Sequence, residues 1–536
     1  MLDTASPFHS GEVEAQARSG VTDLASRVGK FIRDYMPDQH RTFFASQPFL
    51  VMASADRQGR PWITMVEGPD GFVTSPDPRT LMLGTEIDPR DPLADTFATG
   101  GDVGIVGIEL ATRRRNRLSG IMRSTSEGFI IDVRQSFGNC PQYINERDWR
   151  RTEKAPADAK TSKTLNATQM TLIRAADTMF IGSGQQDDHD SPANGYDASH
   201  RGGSPGFVEV VDDTRVRIPD YSGNNFFNTI GNLVKNPSVA LLFVDFESGS
   251  LLHLSGHAQI DWNPENPQET GIHRYIDVTI TDVNERPGAL GLRWEADDKP
   301  ARQLSLVRKV PEAEDITSFY FEPVDGRPPE PFTAGQHLPI EVSLGPSSTR
   351  VQRSYSLSAA PNGRSYRMSI KREAQGAVSR FMHDVLQTGD VIDASAPAGD
   401  FGLPGKDDPV VLVSAGVGIT PMMAMLQQIV LDGARRPTWF VHSARNGSTH
   451  AMGDEVRKLA QDHIQTRLFY SQPRCQDRIG RDYDVAGRLS VRDLLDLNTG
   501  TEAHYMLCGP PAFVADLRDG LETAGVPAGQ IHFETF

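Results

Sequence analysis

Short apolar runs that end in turn-forming residues dominate the chain up to about residue 400. The runs Phe49–Ala53 and Trp62–Glu67 flank the polar turn 56–61, and comparable runs follow residue 304, as in 337–344 and 367–373. Strands of about five residues, separated by Gly, Pro and Asp turns, are typical of small antiparallel barrels. The pattern therefore predicts barrels both upstream and downstream of residue 300 or so.

Two segments upstream of this point follow one template. The first ends its fourth strand with Leu118-Ser119-Gly120, and the second ends its fourth strand with Leu254-Ser255-Gly256. The other predicted strands are Asp102–Leu110 in the first copy, and Met179–Ser183, Phe207–Val211, Ser238–Asp245 and Leu251–His253 in the second. We expect a tandem repeat, in which each small barrel covers its exposed face with the other copy.

The pattern changes from Pro409 onward, where apolar strands alternate with helical stretches. The predicted strands are Val410–Ser414, Thr438–Ser443, Gln465–Tyr470 and His504–Cys508, with helices from Pro421, from Met452, near Val491 and from Pro511. Such alternation predicts a parallel sheet with crossover helices, a common site for dinucleotides.

Two polar stretches mark the domain boundaries. The segment 286–303 is rich in Pro, Gly and charge, and the segment 150–165 is rich in charge. We therefore expect a multidomain β and α/β protein with copy 1 at 1–150, copy 2 at 165–290, a flavin-binding barrel at 304–405 and an α/β domain at 406–536.

Charge and cysteine content exclude several classes of protein. The chain has 70 acidic and 54 basic residues and a net charge of −16, which disfavours nucleic acid and anionic membranes as partners. No apolar run approaches the length of about 18 residues needed to span a bilayer, and no secretory leader is evident. The three cysteines, Cys140, Cys475 and Cys508, are too far apart for a four-thiolate cluster or a CxxC metal site. We expect a cytoplasmic protein without a metal site, as a monomer or homodimer.

The segment Gly416-Val417-Gly418-Ile419-Thr420-Pro421 follows a buried strand. Thr420 is a good helix N-cap and Pro421 suits the first helical position, so backbone N–H groups would point at an anion such as a pyrophosphate. An ordinary glycine-rich turn is the alternative reading of this segment alone.

The last 230 or so residues resemble the ferredoxin–NADP reductase superfamily. The segment 353–356 is similar to the RxYS signature of that family, and the resemblance implies that Arg353 binds a flavin phosphate, Tyr355 stacks on the isoalloxazine and Ser356 reaches flavin N5. Further matching residues are Lys371, Gly376, Val378 and Ser379 at a second flavin-phosphate segment, the loop 416–421, Cys508, Gly509 and Pro510 beside the nicotinamide, and Phe536 over the flavin. The resemblance implies FAD and NAD(P)H as cofactors, with Tyr355, Ser356 and Cys508 at the reacting atoms.

The nucleotide preference stays open. Ser443 and Arg445 follow the second strand and could meet a 2′-phosphate, whereas no acidic residue there clearly selects the ribose diol. We therefore write the nucleotide as NAD(P)H.

The N-terminal half resembles the pyridoxamine 5′-phosphate oxidase-like split barrels, which bind FMN between two barrel subunits. The residues 136–144, 200–208 and 219–232 carry this resemblance. It implies a cofactor site built from His200, Arg201, Gly202, Gly203, Ser204, Ser222, Asn224 and Asn228. Arg201 would supply the phosphate charge, while the hydroxyl and amide groups would donate to phosphate or pyrimidine oxygens. A hairpin of polar residues without a cofactor is the alternative.

Together these features predict a flavin-dependent NAD(P)H oxidoreductase that passes hydride to FAD and electrons on to an N-terminal FMN or substrate site. The resemblance is closest to reductase modules in which a ferredoxin domain follows the last motif, whereas the sequence here ends at Phe536, so we expect the acceptor, a small molecule or a protein, in the N-terminal half. A second hypothesis is a one-flavin reductase whose N-terminal half is a non-catalytic docking module for haem, ferredoxin or another acceptor. A third is a free-flavin or quinone reductase whose N-terminal half confines the substrate.

Overall fold

The computed structural model divides the chain into two compact units, Met1–Asp298 (unit 1) and Lys299–Phe536 (unit 2). The structure describes residues 6–139, 143–186, 191–221, 223–265, 272–296, 301–344, 349–374, 376–405, 408–433, 436–460, 464–497, 499 and 502–535. The division between the units falls inside the polar stretch 286–303.

Unit 1 consists mainly of β-strands. They are β1 Phe49–Ala55, β2 Pro61–Glu67, β3 Val73–Thr74, β4 Thr80–Leu83, β5 Gly101–Glu109, β6 Arg114–Thr125, β7 Gly128–Asn139, β8 Arg147–Arg151, β9 Lys160–Ser162, β10 Thr178–Gln185, β11 Gly195–Gly202, β12 Glu209–Val210, β13 Arg215–Tyr221, β14 Ser238–Asp245, β15 Ser250–Asp261, β16 Ile272–Arg286 and β17 Leu292–Ala296.

The main strands form two antiparallel sheets that share one topology. The first sheet has the order β2-β1-β5-β6-β7-β4-β3, and the second has the order β11-β10-β14-β15-β16-β13-β12. Strand β9 adds to β16, and β8 pairs with β17. Each strand of the first sheet therefore has a counterpart at the same place in the second.

A shared β-bulge aligns the two sheets residue by residue. The pairing of β6 with β7 shifts between Ser119 and Gly120, and that of β15 with β16 shifts between Ser255 and Gly256. A Cβ atom on Gly120 would lie 2.3 Å from a backbone oxygen of β7, and one on Gly256 would lie 2.2 Å from a backbone oxygen of β16. Both bulges thus need glycine, which explains why Leu-Ser-Gly recurs.

Helices cover the two sheets, and apolar side chains join one sheet to the other. The helices of unit 1 are α1 Ser10–Arg18, α2 Thr22–Val28, α3 Asp38–Ala45, α4 Ala94–Thr99, α5 Ala167–Ala175 and α6 Asn228–Lys235. One core cluster combines Val51 and Ile63 of the first sheet with Phe180 and Leu242 of the second, all fully buried. Burial of this shared apolar surface holds the sheets together.

The first part of unit 2 is an antiparallel sheet. Its strands are β18 Arg302–Pro311, β19 Ile316–Pro323, β20 His337–Leu344, β21 Thr349–Ser356, β22 Tyr366–Lys371 and β23 Val391–Ala394, in the order β21-β20-β23-β18-β19-β22. Helix α7 Ala377–Arg380 follows β22 and continues as a π-helical turn, Phe381–Val385.

The second part of unit 2 is a parallel sheet with helices between its strands. The strands are β24 Val410–Ala415, β25 Thr438–Ala444, β26 Ile464–Tyr470, β27 Val485–Ala486, β28 His504–Gly509 and β29 Ile531–Thr535, in the order β27-β26-β25-β24-β28-β29. The helices are α8 Ile419–Leu431, α9 Gly453–Leu459, α10 Val491–Leu495 and α11 Pro511–Thr523. This alternation confirms the predicted combination of β and α/β architecture.

Several local predictions were wrong. Strands β6, β7, β15 and β16 have 12 to 15 residues rather than about five, and β6 and β15 continue through the Leu-Ser-Gly segments instead of ending there. The residues 200–202 lie in β11 rather than in a turn, and only Glu209 and Val210 of the predicted strand 207–211 form one. The bulge explains the first error, because it lets a long strand bend without ending.

In the described part of the chain, no helix is both long and apolar enough to cross a membrane.

Candidate functional site

The predicted flavin-binding residues of unit 2 lie at the end of β21. Arg353 is partly exposed, and its Nη1 donates a hydrogen bond to the backbone oxygen of Gln352, 2.8 Å away. Burial raises the pKa of the Tyr355 phenol, which keeps it neutral. The buried Ser356 hydroxyl has no hydrogen-bond partner among the described residues. A buried hydroxyl of this kind fits a ligand atom as its partner.

The second predicted phosphate segment starts a short helix. Gly376 is the N-cap residue of α7, and Val378 and Ser379 are buried in its first turn. The Ser379 hydroxyl donates to the backbone oxygen of Gly376 and accepts from the backbone N–H of Glu373. Lys371 pairs with Glu373 at 2.6 Å. The segment is thus fixed by its own side chains.

The helix that follows the glycine loop begins at a different residue from the one predicted. Gly416–Gly418 forms a 3-10 turn, and α8 begins at Ile419 with Gly418 as its N-cap. The prediction of Thr420 as N-cap and Pro421 as first helical residue was wrong, because the 3-10 turn leads directly into the helix. Instead, the Thr420 hydroxyl donates to the Val417 backbone oxygen at 3.0 Å.

This loop packs directly against the strand that carries Cys508. A Cβ atom on Gly418 would lie 2.3 Å from the backbone oxygen of Cys508 and 2.7 Å from the Cα atom of Gly509, so the approach requires glycine. Cys508 is fully buried, and this burial, with Glu534 nearby, raises the pKa of its thiol. The thiol is therefore protonated at neutral pH. Pro510, the next residue in the predicted nicotinamide segment, caps α11.

Glu534 was not among the predicted site residues. It lies on β29 directly beside Cys508 of β28, and its Oε2 atom is buried without a hydrogen-bond partner in the described residues. Burial, with a smaller effect of Asp400, raises the pKa of Glu534 to about 8. The sequence does not show that Glu534 is buried, and without its burial nothing marks this acid as a site residue.

The two parts of unit 2 are joined by polar contacts. The backbone N–H of Ala360, shortly after β21, donates to Gln427 of α8 at 2.8 Å. Gln427 also contacts Glu455 of α9, which pairs with the buried Arg367 of β22 at 2.8 Å. This network fixes the antiparallel sheet against the helices of the parallel sheet.

Ser443 and Arg445 lie at the carboxyl end of β25. Ser443 is half-buried and Arg445 is exposed. The backbone oxygen of Arg445 accepts a hydrogen bond from the N–H of Gln472, and the Arg445 side chain takes no part in this contact. Phe536 lies outside the described residues, so its predicted position over the flavin stays a prediction.

Unit 1 has a cavity of about 200 Å³ between its two sheets. We call it the unit 1 cavity, and define it by Arg115 and Arg117 of β6, His200 and Arg201 of β11, Asp220 of β13 and Arg274 of β16. Of the residues predicted for the N-terminal site, His200, Arg201, Gly202, Asn224 and Asn228 line it. Gly203 and Ser204 are not among its lining residues, and Ser222 lies outside the described residues.

Positive charge is concentrated in the unit 1 cavity. Arg201 pairs with Asp220 at 3.2 Å, Arg274 pairs with the same carboxylate at 2.9 Å, and Arg117 pairs with Asp197. Three guanidinium groups thus share the carboxylates of Asp220 and Asp197, and Arg115 lines the same cavity. The Nε atoms of Arg117 and Arg201 are buried without a partner among the described residues. The cavity therefore suits an anion that accepts several hydrogen bonds.

His200 adds a neutral ring to this wall. Its Nδ1 accepts from Nη1 of Arg115 at 3.0 Å. Burial, and after it the nearby Arg115 and Arg201, lowers the pKa of His200 well below its usual range. The imidazole is therefore uncharged, and its buried Nε2 has no partner among the described residues.

Sequence reasoning missed the N-terminal helix beside this cavity. Glu12 of α1 is buried and accepts hydrogen bonds from the Asn228 amide and from the backbone N–H of His9. Burial raises the pKa of Glu12 to about 8. Ser19, at the end of α1, accepts from Nη1 of Arg274 at 2.9 Å. No local sequence signal links residues this far apart.

No group of three or more His, Cys, Asp or Glu side chains that could hold a metal ion occurs within the described residues.

Comparisons with known proteins match the second half of the chain. The family of oxidoreductase FAD-binding domains matches residues 303–402, and that of oxidoreductase NAD-binding domains matches residues 412–519. The C-terminal half therefore carries FAD-binding and NAD-binding oxidoreductase domains of the ferredoxin reductase type. These matches confirm the predicted enzyme class, an NAD(P)H-dependent flavin oxidoreductase, for the C-terminal half.

Similar individual proteins are flavohemoproteins. That of Chromobacterium violaceum is 45% identical over 244 residues, which is 44% of this chain and 60% of the relative. That of Deinococcus radiodurans is 42% identical over 238 residues, 44% of this chain and 59% of the relative. The flavohem-like FAD/NAD-binding domain of nitric oxide dioxygenase from Vibrio cholerae is 32% identical, with a TM-score of 0.40, over 44% of this chain and 99% of that one. The chain thus spans about 60% of the length of these flavohemoproteins, which match its C-terminal half alone.

Proposed function

We propose that the chain oxidises NAD(P)H in unit 2 and delivers the electrons to a ligand held in the unit 1 cavity, and that this ligand is FMN. The observation that carries the second step is the cluster of four arginines that lines the unit 1 cavity, of which Arg117 and Arg274 are buried. The buried Nε atoms of Arg117 and Arg201, which have no hydrogen-bond partner among the described residues, favour an anionic ligand that accepts from them.

The residues of unit 2 fit FAD. Arg353, partly exposed at the end of β21, would bind a flavin phosphate as a bidentate donor. The buried Ser356 hydroxyl, which has no hydrogen-bond partner among the described residues, would contact the flavin. When bound, FAD takes a hydride from NAD(P)H and releases the electrons to an acceptor. In this proposal the Gly416–Gly418 turn binds the nucleotide close to Cys508. The side chains of Cys508 and Glu534 are neutral acids beside the bound nucleotide.

The unit 1 cavity fits the phosphomonoester of FMN. Arg201 and Arg274 share Asp220, and both line the cavity together with Arg115. Arg201 was predicted for this role. The amides of Asn224 and Asn228 line the same wall and supply neutral donors.

Haem is the second candidate for the unit 1 cavity. His200 is buried, neutral and has a free Nε2 in the described part of the chain, which is the state that ligates iron. The relatives of unit 2 are flavohemoproteins by name, but their similarity covers the C-terminal half of this chain alone. In this case the N-terminal half would present haem to the reductase, as the docking hypothesis states.

Acid release of cofactors from the purified chain tests the proposal. We expect one FAD and one FMN per chain. Arg353→Ala should lower FAD content and leave FMN content unchanged, because loss of a charge-assisted phosphate contact costs about 2–3 kcal/mol. Arg364→Ala changes an exposed arginine that precedes β22 and pairs with Glu322, and it is the matched control. Haem in place of FMN supports the second candidate, and FAD as sole cofactor after reconstitution with FMN and haem contradicts both.

A further inference from the structure

The N-terminal segment of unit 1 closes one wall of the unit 1 cavity. Ser19 and Val21, at the junction of α1 and α2, line the cavity together with residues of β11, β13 and β16. The segment is therefore part of the cavity wall as well as of the fold.

Polar contacts hold this segment in place. Along the buried face of α1, His9 bonds to Asn232 at 2.9 Å, Glu12 bonds to Asn228, and Gln16 donates to the backbone oxygen of Phe226 at 3.2 Å. All three α1 side chains are at most 4% exposed. Hydrogen bonds of fixed geometry position a helix more narrowly than apolar contact does.

Arg274 is the point where this segment meets the charged wall. It is 7% exposed, its Nη1 donates to the Ser19 hydroxyl at 2.9 Å, and its Nε lies 2.9 Å from Asp220. The rings of Phe227 and Trp262 lie 4.8 and 5.5 Å from its guanidinium carbon. Four neighbours thus fix the plane of the guanidinium, and Ser19 is the one supplied by the N-terminal segment.

We propose that Arg274 binds the phosphate of the cavity ligand and that Ser19 is the positioning residue that orients Arg274 toward it. The inference rests on the proposed function, because it assigns residues to the same cavity. Neither residue belongs to the motifs that predicted the site. The ligand class is a phosphomonoester, since a planar guanidinium held at fixed orientation matches two oxygens of such a group.

Equilibrium dialysis of the full chain against FMN and against riboflavin, both with saturating FAD, tests this assignment. Riboflavin has the same ring and lacks the phosphate. Ser19→Ala should weaken FMN binding about tenfold and leave riboflavin binding unchanged, because only the phosphate contact depends on the orientation of Arg274. Ser19→Thr keeps the hydroxyl and should restore FMN affinity. Ser26→Ala, an exposed serine of α2, is the control and should leave both affinities unchanged.

A double-mutant cycle separates positioning from general stability. Arg274→Lys keeps the charge and removes the fixed plane, so adding Ser19→Ala to it should have no further effect on FMN affinity. Equal loss of FMN and riboflavin binding in Ser19→Ala, or additive losses in the cycle, would overturn the inference and leave the proposed function standing. If the wild-type chain binds no FMN, the inference and the FMN proposal both fail.

Discussion

The two sheets of unit 1 face each other at two equivalent positions, and the unit 1 cavity lies at one of them, the open position. The open position is the unit 1 cavity, where β6 of the first sheet faces β11 of the second. Its counterpart is the place where β15 of the second sheet faces β2 of the first. Both positions are bounded by strands with the same order and the same bulge.

Side chains make the two positions different. The strand registers align Arg115 with Leu251 and Arg201 with Val66, so a guanidinium in the cavity is replaced by an apolar group at the counterpart position. The same alignment places Arg117 opposite His253 and His200 opposite Met65. All four counterpart residues, Leu251, Val66, His253 and Met65, are buried.

An ion pair completes the closure of the counterpart position. Arg286, which pairs with Leu251 across β15 and β16, contacts Asp91 and lies 3.3 Å from Asp88. The Nδ1 atom of His253 donates a hydrogen bond to the backbone oxygen of Ile63, 2.9 Å away, and burial lowers the pKa of His253 to about 4. The comparison teaches that the repeat sets the backbone, while a few substituted positions decide which interface can hold a ligand.

The largest expected effect is a pH dependence that Glu12, beside the open position, gives to stability. The folded-state pKa of Glu12 is about 8, above the ordinary value of 4.5, because its carboxyl is buried. Folding therefore favours the protonated form, and this contribution to the free energy of unfolding is full below pH 4.5 and is lost as the pH rises to about 8. Glu12→Gln should remove this slope, a change of several kcal/mol across the window.

Urea unfolding between pH 5 and 8 or so, followed by tryptophan fluorescence, measures the slope. Trp62, Trp149, Trp262 and Trp294 report on unit 1, whereas Trp439 alone lies in unit 2. The pKa of Glu534 is raised as well, so Glu534 adds a slope of the same sign. The contribution of Glu12 is therefore the difference in slope between wild type and Glu12→Gln. Glu14→Gln, on the same helix, is the control, because the pKa of Glu14 is lowered and its contribution changes only at lower pH. Parallel slopes for wild type and Glu12→Gln would refute the assignment.

A smaller effect should distinguish the aligned residues Arg201 and Val66. Arg201→Ala removes a phosphate donor and should weaken FMN binding about 30-fold, the equivalent of roughly 2 kcal/mol. Val66→Ala removes apolar volume at the counterpart position and should lower stability without changing FMN affinity. Dialysis against FMN with saturating FAD gives both affinities and the number of sites. Two FMN sites per chain, or equal losses in the two variants, would break the comparison.

Much of the fold follows from local sequence. The strand and helix alternation after Pro409 predicted the parallel sheet, and the recurrent Leu-Ser-Gly segments predicted the repeat. The start of α8 was placed two residues late, since a 3-10 turn at Gly416–Gly418 is not evident from the cap preferences of Thr420 and Pro421. The lengths of β6 and β15 were missed because a bulge and a strand end both favour glycine.

Site residues could be predicted from the sequence only where they lie together in one short segment. The segments around Arg353, Gly416 and Cys508 are contiguous motifs, whereas the wall of the unit 1 cavity joins Ser19, Arg115 and Arg274 across more than half of unit 1. Pairings such as that of Arg201 with Asp220 depend on strand register. Burial of Glu12 and Glu534, which sets their pKa values, is likewise a property of the folded chain.

The central claim is that unit 2 reduces a ligand held in the unit 1 cavity. The most direct test is anaerobic titration of the full chain, loaded with FAD and FMN, with NAD(P)H, while the absorbance of both flavins is followed. We expect the wild-type chain to consume about two equivalents of NAD(P)H, one for each flavin, and Arg201→Ala without bound FMN to consume about one. A wild-type chain whose bound FMN stays oxidised after FAD is fully reduced would contradict it.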